Sequence, residues 1–226
     1  MASYLIYLAI IILIPIYAQF KVKSTYKRYT KVASSSRMTG AEVARKILDD
    51  NGLYNVHVEE TRGYLSDHYD PRSKVVRLSS ENYHGHSLAA TAVSAHEVGH
   101  AIQDQQDYAF LRLRHSLVPV ANIGSNLSWV LILIGFIAGL SNFVLFGIIC
   151  MLAAVLFQVV TLPVEFNAST RAMDQVVSLG IIRSDEERET KKVLNAAALT
   201  YVAAAAVAVL ELVRLIMIYT GMNSED

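Results

Sequence analysis

Four apolar blocks dominate this 226-residue chain and restrict it to one broad class of fold. They run from Tyr4 to about Phe20, from about Leu117 to Leu140, from Phe143 to Leu162, and from Leu194 to about Tyr219. Each approaches or reaches the roughly 20 residues that cross a bilayer as a helix. A lone segment in lipid satisfies its backbone only as a helix. The hydrophobic content of 53% is therefore concentrated rather than scattered, and the chain reads as a four-span helical membrane protein. The blocks divide it into an N-terminal anchor (residues 1–20), a polar region (21–116), a transmembrane hairpin (117–162), a second polar segment (163–193) and a last span with a short tail (194–226). No basic stretch precedes the first block and no small-residue cleavage site follows it, so it reads as an uncleaved anchor.

Charge orients these spans. Every Lys and Arg except Arg214 lies in Lys21–Arg114 or Arg171–Lys192. The positive-inside rule places both segments in the cytoplasm and both termini across the membrane. A formal net charge of zero offers nothing to nucleic acid. Cys150, the single cysteine, sits within the third span and reads as an inert thiol. Glu211 and Arg214, three residues apart on the last span, read as a structural ion pair.

The polar region carries folded-domain signals. Thr39-Gly40-Ala41-Glu42 reads as a capping box opening a helix that Gly52 ends. Asn55–Glu60 and Lys74–Ser79 are short and Val-rich, as strands are, with turn signals at Arg62-Gly63 and Asp70-Pro71 between them. Ser87 caps a further helix predicted from Leu88 to about Gln105. Strands leading into that helix suggest a small zincin-like α+β domain, so the expected fold class is mainly α, with this domain in the cytosol.

The helix contains His96-Glu97-Val98-Gly99-His100, an HExxH string. Histidines four residues apart stand on one helix face, where both imidazoles can hold one metal ion, and Glu97 is placed to act as the general base. Zinc suits such ligands, and one ion per chain is expected. A catalytic zinc takes a third protein ligand. Gln103 and Gln106 occupy the positions where a metzincin needs Gly and His, which excludes that extension. Glu165, just past the third span, is the best remaining candidate. The membrane hairpin returns the chain to the face where the HExxH helix ends.

HEVGHAIQD, a membrane hairpin and then LPVEFNASTRA, with SDHYDPRSKVVRLS upstream, resemble the YugP-like membrane zinc metallopeptidases over nearly the whole chain. More distantly the chain is similar to HtpX and the CAAX prenyl proteases, gluzincins with a Glu as third ligand. The resemblance implies His96, His100 and Glu165 as ligands, Glu97 as catalytic base, and peptide-bond hydrolysis. Those relatives place an Asp shortly after the ligand Glu to hold a histidine; here Asn167 and Ser169 stand nearby. Candidates for stabilising the oxyanion are Arg171, Tyr69, Tyr83 and His115, and the Lys74–Ser79 strand is a candidate to pair with an extended substrate. His57, His68, His84 and His86 have no spacing that demands a metal; His68, and His84 with His86, read as surface-loop residues.

The expectation is an integral-membrane zinc endopeptidase facing the cytoplasm, with a role in membrane-protein quality control implied by the resemblance. Its expected partners are peptide or protein substrates and membrane lipid, with homo-oligomers or a regulatory membrane partner left open. Two rivals stand beside it. A site-2-type intramembrane protease needs its HExxH inside an apolar span, and the polar run Gln103–Asp107 speaks against that. A non-catalytic zinc-containing scaffold has no need of Glu97.

Overall fold

The computed structural model describes residues 2–222, with side chains from residue 4 onward. Its described residues form seven helices and three strands: α1 (Ala2–Tyr29), α2 (Gly40–Asp50), β1 (His57–Thr61), β2 (His68–Asp70), β3 (Val75–Ser79), α3 (Ser80–Tyr83), α4 (Leu88–Gln105), α5 (Ala109–Ala138), α6 (Ser141–Ser178) and α7 (Glu187–Met222). Contacts divide the chain into two compact units. One gathers Met1–Ile16, Ala109–Pro163 and Tyr201–Asp226; the other gathers Tyr17–Tyr108 and Val164–Thr200.

The first unit carries the apolar lengths of α1, α5, α6 and α7, which among the described residues are the four helices long and apolar enough to cross a membrane. Large apolar side chains such as Ile123, Trp129 and Ile137 stay exposed on them, as lipid-facing residues do. The α5–α6 turn falls at Gly139-Leu140, where Gly139 adopts φ +67°, and Ser141-Asn142, the two residues between the second and third apolar blocks, begin the next helix. Arg214 lies 3.5 Å from Glu211 and over the rings of Tyr7 and Tyr4.

Three helices outrun their apolar blocks. α1 continues nine residues past Phe20, to Tyr29, because Tyr26 and Tyr29 bury in the second unit's core and the Tyr26 hydroxyl donates to Asn82 Oδ1 at 2.9 Å. α5 begins eight residues before the expected span start of Leu117. α6 passes through Pro163 without a break, so Glu165 is a helical residue and not part of a loop.

The second unit is built around a sheet of order β1-β3-β2, with β1 parallel and β2 antiparallel to β3. β3 is buried except at half-buried Arg77, as a middle strand should be. Its central place corrects one expectation: a strand already paired on both sides cannot take an extended substrate as a further neighbour. β2 and α3 were not foreseen. The segment around His68 was expected to be loop, and it becomes strand through its pairing with Val75–Arg77.

α2 packs Val43, Ala44, Ile47 and Leu48 into the core and opens on the expected box: Glu42 N–H donates to Thr39 Oγ1 at 3.1 Å, and Thr39 N–H to Glu42 Oε2 at 2.7 Å. Glu186, almost buried, accepts from the backbone of Ser35 and of Arg183, tying the segment after α1 to the segment before α7.

Candidate metal centre

α4 is the helix on which the site is built. Ser87 caps it, with Ala90 N–H donating to Ser87 Oγ at 3.1 Å. Its core face is lined by small residues, with Ala89, Ala92, Ala95 and Val98 all buried, so neighbouring backbones come close. One such approach is to α6 at Gly99. A β-carbon there would meet Ala168 O at 2.5 Å and the rest of that peptide within 3.2 Å. The glycine in HExxH thus sets the separation that lets a residue of α6 reach the histidines. Replacing Gly99 by alanine forces the two backbones apart, an overpacking cost of about 1–3 kcal/mol. Thermal melting and metal analysis of Gly99→Ala should show a lower Tm and weaker zinc retention; an unchanged melt with full zinc would contradict this packing.

Across that contact, His96, His100 and Glu165 converge, with their potential ligand atoms all within 4.8 Å of one another. Glu165 Oε2 lies 3.3 Å from His96 Nε2 and 3.6 Å from His100 Nε2. The imidazoles meet edge-on with centroids 4.8 Å apart. Glu165 is 2% exposed. Tetrahedral zinc, with bonds of about 2.0–2.1 Å to nitrogen and oxygen, spaces its ligand atoms about 3.4 Å apart. Both separations from Glu165 match that spacing.

The outer nitrogens of both rings are engaged elsewhere. His96 Nδ1 lies 3.1 Å from Ser169 Oγ and His100 Nδ1 lies 3.0 Å from Gln103 Oε1. An imidazole held at Nδ1 presents Nε2 to a metal, the usual arrangement around a zinc histidine. Two neutral nitrogens and one carboxylate oxygen form a donor set that zinc accepts, so the residues present fit the ion.

Burial opposes a charge on His100, but the Glu165 carboxylate against its ring, helped by Glu97, holds the imidazole above its ordinary value. Burial pushes the Glu97 carboxyl up; His96 and His100 pull it down, while the Glu165 and Asp67 carboxylates add to the rise. An elevated carboxyl beside two imidazoles is poised to hold a proton for part of a reaction cycle.

The remaining sequence candidates fall in different places. Asn167 does not touch a histidine; its Oδ1 accepts from Gln103 Nε2 at 2.9 Å and from Arg171 Nε at 2.7 Å. Arg171 also donates to Gln106 Oε1 at 2.7 Å and lies over the Tyr108 ring. The Tyr69 hydroxyl donates to buried Asp104 Oδ2 at 2.7 Å, an oxygen that Lys74 Nζ also reaches at 2.5 Å. Tyr83 stacks edge-on against His84 and lines the surface between α2 and β1. His115 belongs to α5, in the other unit. His68 bonds Ser66 O, His84 meets Glu60, and His86 bonds Arg37 O, all in exposed settings.

Gln103 and Asp104 are the site residues that sequence reasoning passed over. The sequence marks both as polar residues leaving lipid, and Gln103 also as the residue that excludes a metzincin extension. Their spacing of three and four from His100 puts them on its helix face, and that was the signal available.

A helix-borne HExxH whose histidines share a pocket with a carboxylate from a second helix defines a class, the zinc-dependent metallopeptidases. The chain belongs to the family described as "putative neutral zinc metallopeptidase", which it matches over residues 4–220. It is 54% identical over 210 residues to the "Putative membrane protease YugP" of Bacillus subtilis (strain 168), an alignment covering 93% of each chain. No solved structure matches it.

Proposed function

We propose that this protein is an integral-membrane zinc endopeptidase of the gluzincin type, with a zincin-like domain in the cytosol. The observation that carries this reading is the convergence of His96, His100 and buried Glu165 on one point, with Glu97 on the same helix as the histidines. Zinc held there supplies Lewis acidity and a water acidified to a pKa of about 7.

The chain's own residues do the rest. Glu97 takes the proton from the attacking water as the new C–O bond forms. It then hands that proton to the amine nitrogen as the C–N bond breaks, leaving a carboxyl on one fragment and an amine on the other. Gln103 and Ser169 hold the outer nitrogens of the ligand histidines throughout. The outer edge of β2, a strand that packs against α4, supports docking of an extended substrate by strand addition.

The placement of basic residues around the apolar helices supports a cytoplasmic active site. The substrates that fit are cytosolic, membrane-proximal or unfolded segments of membrane proteins, consistent with quality control, and nucleic acid has no part. Purified wild type in detergent should cut an unfolded protein such as casein at internal peptide bonds. Release of terminal residues alone would contradict an endopeptidase, and no cleavage at all by zinc-loaded protein would favour the scaffold reading.

Orientation has its own test. In a Cys150→Ser background, a membrane-impermeant maleimide added to intact cells should label Leu140→Cys in the hairpin turn and leave Arg72→Cys unlabelled. The reverse pattern would invert the topology.

A further inference from the structure

We propose that Gln103 is the positioning residue of the metal centre and that its one amide sets two ligands at once, the ring of His100 and the backbone carrying Glu165. The inference rests on the metal-site reading above.

Gln103 is fully buried, one turn beyond His100 on α4. Its Oε1 meets His100 Nδ1 at 3.0 Å, and its Nε2 donates to Val164 O at 2.8 Å and Asn167 Oδ1 at 2.9 Å. Val164 immediately precedes Glu165, so the same side chain that holds the histidine grips α6 where the carboxylate ligand departs.

The direction of this chain of bonds is determined. Val164 O can only accept, so the amide nitrogen must face α6 and the amide oxygen must face His100. Asn167 cannot turn its own amide over to relax the arrangement, because Arg171 Nε donates to the same Oδ1 at 2.7 Å and Gln106 holds the guanidinium in place. With only an acceptor opposite it, Nδ1 of His100 carries a hydrogen, and the lone pair of Nε2 is left for a cation. His96 lacks this constraint, since the Ser169 hydroxyl can donate or accept. For His100, a task of the kind that relatives assign to an Asp after the ligand Glu is done from the HExxH helix itself, while Ser169 on α6 meets His96.

An amide is the group that serves both ends. Gln103→Glu keeps an acceptor for His100 but sets a carboxylate against two oxygen acceptors on α6. Gln103→Met fills the volume and bonds to neither side. In full-length protein in detergent, both variants should hold zinc about 10–100-fold more weakly in chelator competition, the usual loss for an outer-shell partner. Their cobalt-substituted forms should show shifted visible absorption bands, because the ligand geometry changes. Asn167→Ala, which leaves the His100 contact in place, covers the case in which Gln103 variants fail to fold; a smaller loss in the same direction is expected. Thr91→Val, a fully buried change on the same helix, serves as the control and should alter neither readout.

Wild-type zinc affinity and an unshifted cobalt spectrum in Gln103→Met would overturn the assignment, as would equal changes in Thr91→Val. Wild type that takes up neither ion overturns the metal site itself and this inference with it, an outcome distinct from a metal-binding wild type that is indifferent to Gln103.

Discussion

Glu97→Gln should abolish measurable proteolysis while leaving zinc bound. Glutamine has the shape of glutamate but cannot take a proton from water, and general-base catalysis is worth about 10²–10⁴-fold. Glu97 is not among the converging ligands, so zinc content should stay near one per chain. The loss should lie in kcat rather than in KM, because the carboxylate acts on the proton in flight and not on substrate binding. Loss of zinc in this variant would make Glu97 a structural member of the centre. Unchanged cleavage would remove it from the mechanism.

Glu165→Ala should have the larger effect on the metal itself. The side chain is 2% exposed and faces Nε2 of both histidines, so its removal leaves two ligands where a stable site takes three. Retention after dialysis against a mild chelator should fall by more than the 10–100-fold typical of outer-shell changes. Glu165→Gln separates charge from shape: it keeps an oxygen in place but removes the negative charge, and intermediate retention is expected. Full retention in Glu165→Ala would move the third ligand to another residue.

Much of this architecture was legible because its signals are local. α4 runs from Leu88 to Gln105 as read, since Ser87 is a strong cap and the HExxH face has helical period. The capping box at Thr39 marked α2 in the same way. Glu165 could be singled out because a hairpin of two adjacent apolar blocks was expected to return the chain to the side from which it left. What stayed hidden depends on partners distant in the chain. β2 is three residues long and forms only because β3 lies beside it. The end of α6 was misplaced because hydropathy stops at Leu162 whereas the hydrogen-bonded helix does not. Tyr69 and Arg171 read as donors for an oxyanion. In the structure the Tyr69 hydroxyl donates to Asp104, and two Arg171 N–H groups donate to Asn167 and Gln106. Asp104 and Gln106 lie far off in the chain from their donors, where no local spacing points to them.

Gly99 and Gln103 show how far one short motif reaches. The histidines and glutamate of HExxH name the chemistry, yet the glycine between them sets the approach of α6, and the glutamine just beyond joins both ligand-bearing helices. These contacts make the pocket a property of two helices together, which is why a carboxylate 65 residues after His100 can complete it.

The most direct measurement of the central claim is a zinc titration of chelated wild-type protein, following bound metal and cleavage of an unfolded substrate in the same sample. Activity absent after chelation, rising in proportion to bound zinc and levelling at one ion per chain, is the predicted result. Cleavage that survives chelation, or zinc bound to saturation with no cleavage, would contradict it.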